Sequence, residues 1–281
     1  MNLYSDYKNI WRACNNTLDT LYPYIDKYEW YMDASGNIVV TNTEEKEVPA
    51  FCCHLDTVHK KAPEVEHING ILIAFNNTGV GGDDKCGIIA CLELLKKVKC
   101  KCIFFREEER GCIGSKSFDT ETLKDNLFLI EIDRKGNRDL IFKSGSETLC
   151  SENFASAVKQ TFTGYKEAWG IMTDVNVLGK AEINMMNISS GYYNPHSEKE
   201  YVVLKDLKKT ILLLETFAKK YKTKEKYVRI VEKPKKETET KKEYTFNGIT
   251  WGHRIEQEDD SLLDYMRNLN GYDEGDDYSG Y

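Results

Sequence analysis

The sequence predicts an α/β fold in three layers, with a mainly parallel but mixed central sheet flanked by helices. Short apolar strands alternate with amphipathic helices along the chain, which is the pattern of βαβ units. Three of the apolar runs, which end near residues 53, 105 and 130, each lead into a His or an acidic residue. Polar residues at strand ends are typical of the ligand-binding edge of an open α/β sheet.

The apolar spacing also predicts where the individual elements lie. Helices are expected over residues 5–22, 84–98, 151–162 and 203–221, with Ser151 capping the third. Strands are expected over residues 30–32, 38–40, 48–53, 70–75, 102–105, 127–130, 140–142 and 183–188. The stretch after Asp56 is expected to be a polar loop.

The composition excludes several classes of protein. The chain has 281 residues, of which 41% are hydrophobic and 30% charged, and its net charge is −7. This balance argues against a nucleic-acid partner, and no apolar stretch is long enough to span a membrane. The N-terminus does not have the pattern of a secretory signal. Nine cysteines without C-x-x-C spacing indicate reduced thiols, so we expect a cytoplasmic protein.

The composition also predicts three segments. Residues 1–222 are expected to form the folded domain, and the Lys/Glu-rich residues 223–243 are expected to be a disordered linker. Residues 244–281 form an aromatic and acidic tail with a short helix near 258–270. The tail is a candidate docking segment for a protein partner.

The stretch from Phe51 to Val58 suggests the first metal ligand. His54 ends an apolar strand and Asp56 follows two residues later, so both side chains point to the same side. An imidazole that binds a metal through one nitrogen often donates its other N–H to such a carboxylate. Taken alone, however, a His at a strand end is more often structural.

Five residues at strand ends or in loops could together hold metal ions. They are His54, Asp83, Glu109, Asp133 and His196. Singly, Asp83 could cap a helix, Glu109 could belong to a solvated charge run, and His196 could be an ordinary loop His. Together they offer nitrogen and oxygen ligands that suit zinc, and two ions about 3.5–4 Å apart would share one carboxylate. Glu108, beside a ligand, is the natural general base.

These motifs resemble, in order, those of the di-zinc exopeptidases and amidohydrolases that include peptidase T, carboxypeptidase G, aminoacylase and succinyl-diaminopimelate desuccinylase. The matching stretches are residues 54–58, 82–87, 108–115 and 194–202, together with Asp133; the turn at 33–37 and Thr173-Asp174 also fit. The resemblance covers residues 5–221 and is greatest to peptidase T. It implies a three-layer zinc-exopeptidase fold.

The resemblance also implies roles for the site residues. His54, Asp83 and Asp133 would bind one zinc, and Asp83, Glu109 and His196 the other, with Asp83 bridging; Co²⁺ or Mn²⁺ are alternatives. Asp56 would orient His54. Glu108 would deprotonate the water between the metals, which would then attack an amide bond of a short peptide.

One departure from the family concerns the lid or dimerisation domain that often lies between the ligands matching Asp133 and His196. That stretch is too short here, so we expect the catalytic domain alone, with the oligomeric state open and a monomer included. Substrate contacts would then come from other groups, with Tyr192, Tyr193 and Asn194 as candidates. Two other functions remain open: deacylation of N-acylated amino acids or another small amide, and a non-enzymatic binding role.

Overall fold

A computed structural model describes residues 2–231 and the backbone of residues 242–246 and 249–253. The chain divides into two compact units, Met1–Lys233 and Pro234–Tyr281. The helix predicted near 258–270 and most of the predicted tail lie outside the described residues.

The strands of the first unit, within the described residues, are as follows. They are β1 (Glu29–Met32), β2 (Ile38–Thr41), β3 (Ala50–His54), β4 (Val65–Ile68), β5 (Ile71–Ala74), β6 (Lys101–Phe105), β7 (Leu129–Arg134), β8 (Asp139–Ser144), β9 (Glu147–Thr148), β10 (Lys166–Gly170), β11 (Met185–Ser189), β12 (Tyr192–Tyr193), β13 (Tyr201–Val203) and β14 (Ile230–Val231).

The helices of the same part of the chain vary widely in length. They are α1 (Lys8–Arg12), α2 (Leu18–Ile25), α3 (Gly82–Leu95), α4 (Ile113–Lys116), α5 (Glu152–Thr161), α6 (Asp174–Val177) and α7 (Leu204–Lys220), with 3₁₀ turns at Ser5–Tyr7, Thr120–Leu123 and Gly179–Ala181. Ser151 caps α5 as predicted, because its hydroxyl accepts a hydrogen bond from the Phe154 N–H at 3.1 Å. In the described residues, no helix has the length and apolar character needed to cross a bilayer.

The main sheet confirms the predicted fold class. Its strand order is β1-β2-β6-β3-β7-β11-β8-β9-β14, with β10 pairing beside β8. The central strands β6, β3, β7 and β11 are parallel. Strand β1 pairs antiparallel with β2, β2 with β6, and β8 with β11, whereas β10 pairs parallel with β8. The sheet is therefore mixed, with a parallel centre.

Two hydrophobic cores lie on the two faces of this sheet, which gives the three layers. Along β3, Phe51 and Cys53 join the core that contains α3, α5 and α7, while Ala50 and Cys52 join the core that contains α6. The split follows from the alternation of side chains along a strand. Because both faces are covered, β3 is buried over its whole length.

A smaller sheet, which the sequence did not predict, lies beside the main one in the same unit. Its order is β12-β13-β5-β4, with antiparallel pairing throughout. Strand β4 falls in the stretch after Asp56 that was expected to be a polar loop, and this prediction was wrong. Three of its four side chains are exposed, so the strand has little apolar signal.

The helix predicted over residues 5–22 is instead broken into α1 and α2. Ala13 is extended, and the chain between the helices makes two contacts with Thr57: the Asn15 side chain accepts from its amide and the Cys14 carbonyl accepts from its hydroxyl. A capping box between Thr17 and Thr20 then starts α2. Apolar spacing continues across the break, which is why periodicity alone predicts a single helix.

Residues 223–231, predicted as the start of the linker, pack in the first unit. Strand β14 pairs with β9, and Lys226 bridges to Ile183. The Arg229 guanidinium, with 8% of its side chain exposed, donates to the carbonyls of Val175 and Asn176 at the end of α6 and pairs with Glu147 at 3.0 Å. The compact unit thus extends beyond the predicted boundary at 222.

The second unit, as far as it is described, is a β-hairpin. Strands β15 (Lys242–Phe246) and β16 (Ile249–His253) pair antiparallel, with Tyr244 opposite Trp251. The hairpin coincides with the aromatic part of the predicted tail.

Candidate metal centre

The site lies at the carboxyl ends of three adjacent parallel strands. Strand β3 lies between β6 and β7 and ends at His54; Glu108 and Glu109 follow β6, and Asp133 is near the end of β7. Asp83 comes from the loop that opens α3, which packs against β3. His196 comes from the connection between β12 and β13, so the smaller sheet supplies one side of the site. The structure thus brings all five predicted ligands together.

Asp83 lies between the two histidines. Its Oδ1 is 3.1 Å from Nε2 of His54, and its Oδ2 is 3.2 Å from Nε2 of His196. Each oxygen of one carboxylate therefore faces a different imidazole. The side chain of His54 is 1% exposed, whereas that of His196 is 53% exposed, so the site has a closed inner side and an open outer side.

The carboxylates of Asp133 and Glu109 each lie beside one of the two histidines. Oδ1 of Asp133 lies 3.8 Å from Nε2 of His54 on the inner side, and Oε1 of Glu109 lies 2.9 Å from Nε2 of His196 on the outer side. His54, Asp83 and Glu109 offer ligand atoms within 4.8 Å of one another, and so do His54, Asp84 and Asp133.

The donor set fits zinc. Two ligand atoms at tetrahedral zinc, each about 2.0–2.1 Å from the ion, are separated by about 3.3 Å. The separations of 2.9–3.8 Å among the four nitrogen–oxygen pairs bracket this value. Oε1 of Glu109 is also buried and faces Nε2 of His196 without a well-directed hydrogen bond, as expected where an ion would lie between the two atoms.

Without a metal, the neighbouring carboxylates raise the pKa of both histidines. Contacts with Asp83 and Glu109 raise the pKa of His196 to about 10. Burial alone would lower the pKa of His54, but Asp133, Asp56 and Asp83 outweigh it and raise that pKa well above its ordinary value. In turn, the two histidines outweigh burial at Asp83 and lower its pKa. Burial and Asp83 raise the pKa of Asp133, against the opposing effect of His54.

Glu108 lies beside the ligands in a setting that suits a general base. Burial raises the pKa of its carboxyl; His54 opposes this rise, and the nearby acids Glu109 and Asp83 add to it. A carboxylate whose pKa is moved towards neutrality is a better acceptor for a proton that must later be returned. The Cys112 thiol lies 3.7 Å from Oε1 of Glu108 and donates to it.

Asp56 contacts both His54 and the loop that carries Glu108. Nδ1 of His54 is 2.9 Å from the carbonyl oxygen of Asp56 and 3.4 Å from its Oδ1. The two carboxylate oxygens accept from the backbone N–H groups of Glu108 at 3.0 Å and Glu109 at 3.2 Å. Asp56 therefore orients the imidazole mainly through its main chain, while its carboxylate holds the loop of the base.

The three residues proposed as substrate contacts have other partners. The buried Tyr192 donates its hydroxyl to Oδ1 of Asp133 at 3.0 Å, so it supports a ligand. The Tyr193 hydroxyl donates to Asp206 at 2.6 Å, and Asn194 donates to the Lys199 carbonyl at 3.5 Å. These side chains are thus bound to the protein itself.

Two buried asparagines hold segments of the site in place; Asn37 was named from the sequence only as part of the turn at 33–37, and Asn187 was not named. Asn187 on β11 accepts from the Asp133 N–H at 3.0 Å and donates to the Asp133 carbonyl at 2.8 Å. Asn37 accepts from the Arg106 N–H at 3.1 Å and donates to the Gly114 carbonyl at 2.9 Å. A Cβ on Gly114 would lie 2.3 Å from Oδ1 of Asn37, so only glycine allows this approach. The available signal was an Asn directly before or within an apolar strand.

Thr173 and Asp174 form a hydrogen-bonded cluster with a further buried acid, Glu131, beside the site. Glu131 accepts from the Thr173 hydroxyl at 2.5 Å and from the Asp174 N–H at 3.0 Å, and Ser115 donates to Asp174 at 2.5 Å. Burial raises the pKa of Asp174 to about 7 despite the Ser115 hydrogen bond. This cluster joins α4, α6 and β7 behind the loop of Glu108.

Comparison with solved structures shows the same fold in several peptidases. The aminopeptidase PepT from Bacillus cereus is 13% identical with a TM-score of 0.65, over 77% of this chain and 97% of that one. A tripeptidase from Staphylococcus aureus is 14% identical with a TM-score of 0.65, over 78% and 98%. The TET1 peptidase of Pyrococcus horikoshii is 16% identical with a TM-score of 0.60, over 77% and 99%. Identities this low establish the fold alone.

Sequence comparison gives the family. No curated protein matches the chain. The profile of peptidase family M28 matches residues 37–201, which is more than half of the chain and includes all five predicted ligands. The chain therefore belongs to peptidase family M28.

Proposed function

We propose that this peptidase is a two-zinc aminopeptidase of short peptides, with Co²⁺ or Mn²⁺ as alternative metals. The observation that carries the proposal is the position of Asp83, whose two oxygens lie 3.1 and 3.2 Å from two different histidines. A single carboxylate in this position suits a bridge between two cations. His54 and Asp133 would complete the inner site, and His196 and Glu109 the outer one.

The charges of the site favour bound cations. Asp83, Glu109, Asp133 and Glu108 lie together, with Asp56 and Asp84 beside them. Without cations this concentration of carboxylates in a largely buried site is unfavourable, which supports the predicted ligand set.

The chain's own residues supply the proton transfers. Bound zinc ions polarise a substrate carbonyl and make water more acidic. The Glu108 carboxylate accepts a proton from the attacking water and then gives it to the nitrogen of the departing amine. The hydrogen bonds from the Glu108 and Glu109 amides to Asp56 hold this carboxylate beside the ligands during both transfers.

The charge around the site favours the amino terminus of a peptide over its carboxyl terminus. Lys85 is buried and donates to the carbonyls of Val80 and Trp11. Arg110 pairs with Glu107 at 3.0 Å, and Arg134 pairs with Asp139 at 3.3 Å. These three basic groups are engaged within the protein rather than free to bind the carboxylate of a substrate, which favours recognition of the amino terminus.

The structural neighbours support short peptides as substrates. Two of them are described as an aminopeptidase PepT and a tripeptidase. The specific kinship with peptidase T and the deacylase alternative stay predictions. The cytoplasmic location is likewise a proposal, supported by nine free cysteines of which eight are buried.

Metal analysis combined with a matched substrate set tests this function. The purified chain is reconstituted with zinc and assayed on a tripeptide, the same tripeptide N-acetylated, and an N-acetylated amino acid. We expect about two zinc ions per chain and cleavage of the free tripeptide only. Preference for the acetylated substrates would instead support deacylation, and a metal-free protein without activity would support a binding role.

A further inference from the structure

The main chain of the loop that carries Asp83 packs unusually closely against neighbouring groups. It contains Gly79, Gly81 and Gly82, and Gly81 has a φ of +70°, which favours glycine. A Cβ on Gly82 would lie 2.6 Å from Cβ of Tyr192. Asp83 can therefore face both histidines only while the loop keeps this conformation. Contacts that hold the main chain of the loop are needed to maintain it.

Glu200 makes contacts that hold this main chain. Its Oε2 accepts from the Gly81 N–H at 2.6 Å, and its Oε1 accepts from the Asp83 N–H at 3.1 Å. One carboxylate thus binds two amides of the Asp83 loop at once. The side chain of Glu200 is 0% exposed, so these hydrogen bonds are shielded from competing water.

His59 adds a third contact. Its Nε2 lies 3.0 Å from Oε2 of Glu200, and its Nδ1 is 3.4 Å from the Gly79 N–H. A Cβ on Gly79 would lie 2.3 Å from Nε2 of His59 and 2.6 Å from Oε2 of Glu200. The loop is therefore packed directly against both side chains.

The position of Glu200 in the chain links three segments of the site. It follows His196 by four residues, it binds the amides of the Asp83 loop, and it contacts His59 in the segment after Asp56. The hydrogen bonds of Glu200 reach the main chain of the Asp83 loop and His59, not the side chain of a predicted ligand. The direct route from Glu200 to the proposed metal pair is therefore the position of Asp83.

We propose that Glu200 is a positioning residue for the metal pair, which fixes the main chain of Asp83 so that its carboxylate faces both sites, with His59 as its support. The inference rests on the proposed function, because it assumes that Asp83 binds metal. Partners that orient ligands in this way typically change metal affinity about 10- to 100-fold when they are altered.

Glu200→Gln in the full chain tests the proposal. The carboxamide keeps the size of the side chain but has one acceptor oxygen, so either the Gly81 or the Asp83 amide would face an NH₂ group. Glu198→Gln is the matched control, because Glu198 is an exposed residue of the same loop and its change removes the same charge. Zinc affinity is measured by competition with a chromogenic chelator, and thermal stability is measured with EDTA and with zinc.

We expect Glu200→Gln to bind zinc about 10- to 100-fold more weakly and to gain less thermal stability from zinc, while Glu198→Gln stays within about threefold of the original chain. Equal zinc affinity in all three proteins would overturn the proposal, and an equal loss of melting temperature with and without zinc would reduce Glu200 to a structural role. If Glu200→Gln does not fold, His59→Ala decides, with His67→Ala as its exposed control. A zinc affinity at least threefold weaker in His59→Ala than in His67→Ala supports the proposal. Equal affinities in these two variants overturn it.

Zinc binding and peptide cleavage by the unmutated chain distinguish a failure of this inference from a failure of the proposed function. If the unmutated chain binds zinc but cleaves no peptide, the aminopeptidase proposal fails while the affinity comparison still tests Glu200. If it binds no zinc, both fail.

Discussion

The proposed chemical role of Glu108 can be separated from metal binding. Glu108→Gln keeps the shape of the side chain and removes the proton acceptor, so we expect kcat to fall at least about 10²- to 10⁴-fold with the zinc content unchanged. Steady-state kinetics and metal analysis measure the two quantities. Glu107→Gln is the control, because Glu107 pairs with Arg106 and Arg110 at the surface. More than a tenth of the original kcat in Glu108→Gln would show that another group is the base.

Tyr192 offers a test of a single hydroxyl. Tyr192→Phe removes the 3.0 Å hydrogen bond to Asp133 and leaves the buried ring in place. We expect the zinc affinity to fall about tenfold and the free energy of unfolding to fall by about 1.5–3 kcal/mol. Chelator competition and urea unfolding measure these changes. Tyr193→Phe, which loses a hydrogen bond to Asp206 outside the ligand set, should keep the original zinc affinity.

At the scale of elements, α3 is joined to the N-terminal segment by a buried cluster. Glu93 accepts from the Tyr7 hydroxyl and from Lys96, each at 2.7 Å. Lys96 and Tyr7 outweigh burial and lower the pKa of Glu93 below its ordinary 4.5. The pKa of Tyr7 is raised by burial and by Glu93, so the phenol stays protonated as a donor. The cluster therefore holds the helix that starts at the Asp83 loop.

The lowered pKa of Glu93 gives the sign of a pH dependence. Its stabilising contribution is present above about pH 4.5 and is lost as the pH falls through the lower pKa of the folded state. We expect Glu93→Gln to lower the free energy of unfolding by about 1.5–3 kcal/mol at pH 7, and by less at acidic pH. Urea unfolding at several pH values checks this. Glu121→Gln, which alters an exposed pair, should have little effect at any pH, and a pH-independent loss in Glu93→Gln would contradict the argument.

The elements that the sequence predicted best are those whose side chains follow a regular pattern of burial. Strand β3 is buried on both faces, and its apolar run ends where the first ligand begins. Because parallel strands present their carboxyl ends together, His54, Glu109 and Asp133 could be expected to converge. Helices α5 and α7 were likewise visible, since each has one apolar face and α5 begins at a capping Ser.

Other features depend on contacts between distant residues, which spacing does not reveal. The break between α1 and α2 results from bonds to Thr57, and β4 has mostly exposed side chains. The direction of Tyr192 depends on its register opposite Val202 in a short hairpin. That register points its hydroxyl at Asp133, whereas its place in the sequence suggested a substrate contact.

At the scale of the whole molecule, the metal pair should be linked to pH. In the metal-free protein both histidines have raised pKa values, about 10 for His196, and the pKa of the predicted ligand Asp133 is raised as well. Zinc binds neutral imidazole and ionised carboxylate, so zinc binding at the proposed sites should release protons, including that of His196. We expect proton release at pH 7 and a zinc affinity that rises with pH. Calorimetry in buffers of different ionisation enthalpy measures this; binding without proton release would contradict it.

The extent of the first unit provides a second test at this scale. A chain that ends after Lys222 lacks Arg229 and β14, and it leaves the carbonyls at the end of α6 without their donor. We expect it to be less stable by on the order of 3 kcal/mol than a chain that ends after Lys233. Thermal unfolding of the two truncated chains gives the difference. Equal stability of the two truncated chains would instead support the predicted domain boundary at residue 222.

The unequal exposure of the two histidines bears on how the two proposed ions would exchange. His54 is enclosed, whereas half of the His196 side chain faces solvent. A chelator could approach an ion at His196 directly, but an ion at His54 could leave only after the outer ligands move. The two ions should therefore dissociate at different rates, the outer one first. A preparation washed with chelator would then retain one ion and be inactive, and a brief addition of zinc would restore activity without refolding.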